Sequence, residues 1–220
     1  MGQSSRPALA RDAIVAAALD LVGRRGVDAV SMRTIADAFG TGPASIYRHV
    51  AGKDELLDLA LDRVLAEVRL PADGRDWRRA LSELAGEVRA ALLRHGDIAS
   101  IAMSGRPVGG NSVRIAEALL ATLRTAGFPD DVCAWALDRL SLYVTADALD
   151  TARRRLSERA GADSVARHWA VVAEHYRNLP AQDFPHTTAM GQMLFQGDPD
   201  LRFTLGLEVF LDGLAPRRRR

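Results

Sequence analysis

With 220 residues, 48% of them apolar, and only 18 glycines and 9 prolines, the chain can build one large or two small cores, and wholesale disorder is excluded. A formal charge of +1, from 29 basic and 28 acidic residues, excludes a protein that coats nucleic acid through net charge. The one cysteine, Cys133, excludes an internal disulfide and a cysteine-built metal cluster; between Val132 and Ala134 it is expected to be a small core residue.

The opening residues, MGQSSRPALARD, lack an apolar signal region, and no later run reaches the ~18 apolar residues of a membrane span. Arg6 at the sixth position breaks the myristoylation pattern, so the expectation is a cytoplasmic protein without a membrane partner. The arm Gln3 to Pro7 is either a disordered terminus or a carrier that brings Arg6 to a phosphate or the minor groove.

A first helix is expected from Ala8 to Arg24, with Ile14, Ala17, Ala18, Leu21 and Val22 on one face and Gly26 ending it. Next comes SMRTIADAFG, with Ser31 as N-cap, an apolar face of Ile35, Ala36 and Phe39, and Gly40 as the stop. TGPASIYRHV (Thr41 to Val50) then reads as the second helix of a helix-turn-helix. Ile46 and Val50, four apart, face a core and leave small and polar residues toward a partner.

Gly52 to Arg69 reads as a longer helix with Asp54 and Glu55 in its first turn and a stripe of Leu56, Leu57, Ala60, Leu61, Val64, Leu65 and Val68, stopped by Leu70-Pro71. PADGRD (Pro71 to Asp76) is the most linker-like stretch. Beyond it no run of alternating β-branched residues occurs. Helices are expected near Asp76 to His95, Asp97 to Ser104, Gly110 to Ala126, Pro129 to Leu156, Asp163 to Asn178, Thr187 to Leu194 and Pro199 to Leu214. The architecture is therefore all-α, with about ten helices in two domains.

Ala8 to Leu59 resembles the DNA-binding domain of the tetracycline-repressor (TetR) family: an apolar first helix, Gly-Val after Arg24-Arg25, SMRTIADAFG, then SIYRHV and GKDELL. The second domain resembles the ligand-binding domain of the tetracycline repressor through RAALLRHGD, SGRP, LLATLRTAGF and LRFTLGLEVFLDGL. The resemblance implies an amino-terminal three-helix helix-turn-helix domain over 1–51, with an arm over 1–7. A connecting helix over 52–70, a larger helical ligand-binding and dimerisation domain over 71–215 and a basic tail over 216–220 would follow.

On the DNA side, resemblance and geometry together assign Arg33 to a base contact, with guanine the target, and Ser45 to a base edge. Pro43 and Ala44 are assigned to thymine methyl groups, and Thr41, Tyr47, His49 and Lys53 to phosphates. The resemblance carries the ligand pocket onto Leu84, Val88, Arg106, Asn111, Ile115, Leu119, Asp138 and Ser141. Arg106 and Asp138 either fix a polar end of the ligand or pair with each other or with water. Ala102 stands where the tetracycline repressor has its metal-binding histidine, and Leu84 and Val88 stand where it has ring-contacting residues, so a magnesium-tetracycline ligand is not expected. Asp150 keeps a carboxylate near that place. Met103, Met190 and Met193 are either an adaptable pocket wall or core filling.

Pairing of two copies as a four-helix bundle is the resemblance's further implication, with Leu142, Leu149, Phe203, Leu207, Phe210, Leu211 and Leu214 as the interface; packing of the same face within one chain is the alternative. No catalytic constellation, metal set or cofactor motif is found. His168 and His175, seven apart on one helix, are separated by ~10.5 Å, too far to share a metal, and His95 is expected to cap helix carbonyls. The four terminal arginines read as a solvated tail. The functional expectation is a homodimeric regulator, not an enzyme, that represses from a palindromic double-stranded operator until a small lipophilic effector releases it. The alternative is a helical DNA-binding or interaction protein without an effector, controlled by a protein partner.

Overall fold

Ser31 and Gly40 mark the helix whose two ends the sequence specifies best. The Ser31 hydroxyl accepts the Thr34 amide at 3.0 Å, and Gly40 closes α2 (Met32–Phe39) in left-handed backbone at φ 62°, which a residue with a Cβ adopts only at a cost. The computed structural model describes residues 10–72, 74, 76–104, 109–159, 163–191, 193–194 and 197–218, without the side chains of 156–159 and 163–169. Helix α1 (Arg11–Arg25) and a 3-10 turn (Val27–Ala29) precede α2, and α3 (Pro43–Tyr47) and α4 (Lys53–Leu65) follow it.

Val15 and Leu19 are buried with Ile14, Ala18 and Val22 on α1, whereas Ala17 and Leu21 are only half-buried; the inward face is turned by about one residue from the expected one. The helix α3 is shorter than Thr41 to Val50. Pro43 occupies its first position, where a missing N–H costs nothing. Ile46 and Val50 are fully buried beneath it, as their spacing requires.

All seven apolar residues of the next stripe, Leu56 to Val68, are buried, yet α4 ends at Leu65, not Arg69. The Leu65 carbonyl accepts the Val68 amide at 3.2 Å, and the Leu65 and Val68 carbonyls both accept Arg114 Nη2, at 3.2 and 3.0 Å. The remaining helices are α5 (Trp77–Arg94), α6 (Ala99–Ser104), α7 (Gly110–Thr125), α8 (Asp130–Arg159), α9 (Asp163–Arg177), α10 (Pro185–Met190) and α11 (Pro199–Leu214). No strand occurs among the described residues. Leu81, Leu84 and Leu92 of α5, Leu119 and Leu123 of α7, and Cys133, Ala136, Leu140 and Val144 of α8 share one core that continues into the stripe of α4. Each large aliphatic side chain so buried contributes about 1.5–3 kcal/mol.

The face of α11 assigned to a second subunit is turned inward. Phe203, Leu207, Leu211 and Leu214 are at most 6% exposed within a single chain. Tyr143 of α8 stacks on Phe203 with centroids 5.5 Å apart and donates its hydroxyl to the Phe203 carbonyl at 2.7 Å. Phe210 and Leu149 are half-buried against the same core. The outward stripe is instead Leu201, Leu205 and Val209, between 63% and 69% exposed and four residues apart. A period of 3.6 with apolar residues on two sides of α11 leaves the inward side ambiguous until α8 is placed.

Arg89, buried on α5, reaches Asp147 Oδ2 of α8 at 2.5 Å and Asp200 Oδ1 of α11 at 2.6 Å, with its guanidinium 4.6 Å from the centre of the Phe203 ring. Burial by itself would make this arginine easier to deprotonate, and the two carboxylates more than reverse that. Three helices are thereby fixed to one cation. At the end of α11 the chain continues as a 3-10 turn, Ala215–Arg217, with Arg217 donating to the Gly213 carbonyl; residues 215–218 are exposed, and Arg219 and Arg220 of the expected solvated tail lie outside the described residues.

The amino-terminal helices meet the rest at the turn between α5 and α6. The Val27 amide donates to Asp97 Oδ1 at 2.9 Å. Beside it Gly96, at φ 66°, lies so close to the last turn of α1 that a Cβ would come 2.9 Å from the Val22 carbonyl oxygen. Glu67, just past α4, accepts Arg94 Nη2 at 2.8 Å and bonds His95 Nε2 at 2.7 Å, so the His95 ring serves this carboxylate and not the helix carbonyls. Burial would raise the Glu67 carboxyl, but the hydrogen bonds from Arg94 and His95 outweigh it and hold it below 4.5. A carboxyl lowered in the folded state adds stability above its unfolded pKa and loses it as pH falls through the folded one. Glu67→Gln is therefore expected to lower Tm by about 1–3 °C at pH 7. The gap to the parent closes as melts are repeated below pH 4.5, and a gap constant with pH would remove the carboxylate from the account.

Candidate DNA-facing surface and ligand cavity

Arg33, Pro43, Ala44 and Tyr47 are exposed on the outer side of α2 and α3, Tyr47 at 52%. Thr41, Ser45, His49 and Lys53 are half-buried along the same edge. Ser45 is already engaged: its hydroxyl accepts Thr41 Oγ1 at 2.9 Å and, weakly, Arg48 Nη2 at 3.4 Å. The Ser45 proton thus remains for an outside acceptor, and Thr41 serves to hold Ser45 in place. The first turn of α4 is tied down by Glu55, which receives the Ala51 amide and the Arg11 guanidinium. The Ala51 amide is the largest cause holding that carboxyl below its ordinary range; burial opposes it, and the Arg11 charge and hydrogen bond add to the lowering. A negative charge near helix α4's amino end is favourable by dipole as well.

In the second half, a cavity of about 680 Å³ opens between α5, α6, α7 and α8, with Leu65 of α4 also in its lining. Leu84, Val88, Ile115, Leu119, Asp138 and Ser141 all line it, as does Leu142 at its exposed rim. Asn111 does not. Its amide and Nδ2 donate to Asp62 Oδ1 and Oδ2 of α4, both at 2.9 Å, because the first turn of α7 points its free amides at that carboxylate and away from the cavity. Arg106 lies outside the described residues, and Asp138 pairs with its neighbour Arg139.

Met103 lines the cavity at 42% exposure, whereas Met190 and Met193 are exposed surface residues and fill no core. Asp150 pairs with Arg154 at 3.0 Å and takes no part in the lining. Among the described residues no group of three or more His, Cys, Asp or Glu is placed to hold a metal ion, and no helix is long and apolar enough to cross a membrane.

Two contributors escaped the sequence reading. Trp135 stands at the cavity at 67% exposure; a large aromatic on the outer side of an otherwise mixed helix was its only signal. Arg114, adjacent to Ile115, grips the end of α4, and nothing local in the sequence marks it. The cavity wall is apolar, with Ser112, Asp138, Arg139, Ser141 and Thr145 as its polar positions. Such a lining suits a hydrophobic body that carries a few oriented polar groups.

Comparison with known proteins places these two regions together. Residues 14–60 match the family described as bacterial regulatory proteins, tetR family, and residues 70–218 match the tetracyclin repressor-like C-terminal domain. The chain is 34% identical over 212 residues to the HTH-type transcriptional repressor DrrR1 of Streptomyces coeruleorubidus, covering 95% of this chain and 78% of that one. It is 33% identical to the class A tetracycline repressor from transposon 1721 in Escherichia coli, over 93% of this chain and 90% of the other. Among solved structures, the Streptomyces coelicolor TetR family protein ActR in complex with actinorhodin superposes with a TM-score of 0.83 at 36% identity, covering 96% of this chain and 98% of ActR.

Proposed function

We propose, from the premise that this chain belongs to the TetR family and is a helix-turn-helix regulator of transcription, that it is a repressor which leaves a two-half-site operator when a small lipophilic molecule fills the cavity. The observation that supports this most is the position of the cavity. It has the volume of a drug-sized ligand, is walled by α5, α7 and α8, and touches α4, whose other end begins three residues after Val50. An occupant that prefers a shifted α4 would change the spacing of two recognition helices in a dimer. A ligand releases DNA only to the extent that it binds the released form more tightly, and reversing a 99:1 population takes about 5.5 kcal/mol of that preference. The complex of ActR with actinorhodin makes actinorhodin the first candidate to try here.

The second copy would sit against the outward stripe of α11, Leu201, Leu205 and Val209, since helix-turn-helix proteins read half-sites about one or more turns apart. Arg33 would read a base, and Tyr47, His49 and Lys53 would hold phosphates. The test is enrichment of bound duplexes from random DNA followed by gel shift. A palindrome is expected, with Arg33→Ala relaxing preference at one base pair per half-site by about 1–3 kcal/mol and Tyr47→Ala weakening all sequences alike. Absence of any enriched sequence at low salt would refute operator reading and leave an interaction protein. Occupancy is read by quenching of Trp135 emission on adding actinorhodin, with Trp135→Phe as the control.

A further inference from the structure

We infer that a reciprocal cap between α4 and α7 is the part through which filling of the cavity is transmitted to the recognition helix; this rests on the proposal above that the cavity controls DNA binding. The first turn of α7 gives two hydrogen bonds to Asp62 of α4, both from Asn111 and both 2.9 Å long. Asp62 lies so close that a Cβ on Gly109 would stand 2.1 Å from its Oδ1. In the other direction Arg114 of α7 donates to the carbonyls of Leu65 and Val68, at 3.2 and 3.0 Å, at the end of α4. A carboxylate from α4 thus meets the positive end of α7, and a guanidinium from α7 meets the negative end of α4.

These bonds are charge-assisted and directional and tie α4 to the helix that walls the cavity, whereas the buried face of α4 is an apolar stripe. Its other polar bonds run from Glu55 and Arg63 to α1 and, just past its end, from Glu67 to the end of α5. The same stretch of α7 supplies Ser112, Ile115, Ala116 and Leu119 to the cavity wall, and Ile115 directly follows Arg114. An occupant that pushes α7 therefore either carries α4 with it or breaks the cap. Since α4 also packs on α1 through the shared core, carrying it moves α3.

A permanent occupant makes the test independent of any ligand. Ala116→Trp places an indole in the cavity, and the duplex is the one enriched from random DNA. Four proteins are compared by gel shift: the parent, Ala116→Trp, Arg114→Met and the double variant. Ala116→Trp is expected to weaken duplex binding by about tenfold or more, within the range of allosteric couplings. Arg114→Met alone is expected to change it less than about threefold, and in its presence the Ala116→Trp effect shrinks to less than about threefold. Asn111→Ala, which removes only one bond of the cap, repeats the pattern more weakly and serves if Arg114→Met does not fold. An Ala116→Trp effect of equal size with and without the cap overturns the inference while leaving cavity control intact. No effect of Ala116→Trp on duplex binding, with Trp135→Phe emission showing the new indole shielded, overturns cavity control itself and the inference with it.

Discussion

Leu205→Glu combined with Val209→Glu is expected to give a folded monomer that binds a two-half-site duplex about 10²- to 10⁴-fold more weakly than the parent, the factor by which linking two weak binders raises avidity. Both side chains are more than 60% exposed in the single chain, so its own core loses nothing. In a dimer built on this stripe each glutamate would be buried against its copy without a partner, which is strongly destabilising. Sedimentation should show the mass halved with the helical signal unchanged, and binding to a single half-site should stay within about twofold of the parent's monomer value. A dimer that persists would move the interface to another surface. The corresponding change at Phe203 or Leu207 should unfold the protein, because those residues face its own α5 and α8.

Gly96→Val is expected to lower stability by about 2–5 kcal/mol, combining left-handed backbone strain with steric overlap. The new Cβ meets the backbone oxygen of Val22 at 2.9 Å and the Gly23 Cα at 3.3 Å, neither of which can rotate away. In a domain pair of this size the Tm should fall by about 5–15 °C in a thermal melt. Gly86→Ala is the control: nothing lies within 4 Å of its added Cβ and the residue is inside α5, so the substitution should be neutral or slightly stabilising. Equal melts for the two variants would mean that the turn does not bear on α1 as described.

Legibility in the sequence followed the range of the interaction. Ser31, Gly40 and Pro43 act on their own helices, and α2 and the start of α3 were readable from them. The stripe of α4 was equally plain, because seven apolar residues at helical spacing admit one inward face. Where α4 stops was not, since the carbonyls at and just past its end bond Arg114, 46 residues beyond Val68. Asn111 failed for a related reason: a polar residue at a helix start can serve a ligand or another helix, and the carboxylate that decides the matter is 49 positions away. On α11, apolar residues on two sides made the choice of face depend on Tyr143 and Arg89, neither of them on that helix. Six of the eight residues carried over by resemblance converge on one cavity, because the helices that carry them keep their mutual placement even where the side chains differ.

The bond from Val27 to Asp97 also bears on the order in which the molecule can be finished. As the chain leaves the ribosome, α1, α2 and α3 are complete after some fifty residues, but the acceptor for the Val27 amide is Asp97, 70 positions beyond Val27. The stripe that buries Ile46 and Val50 belongs to α4 and comes first, so the DNA-facing region gathers its core before its last polar partner arrives. Until the turn of Gly96 and Asp97 has been made, the end of α1 is left to water. The region that meets DNA is thus the first to be synthesised, yet it is closed only after α5 has been made.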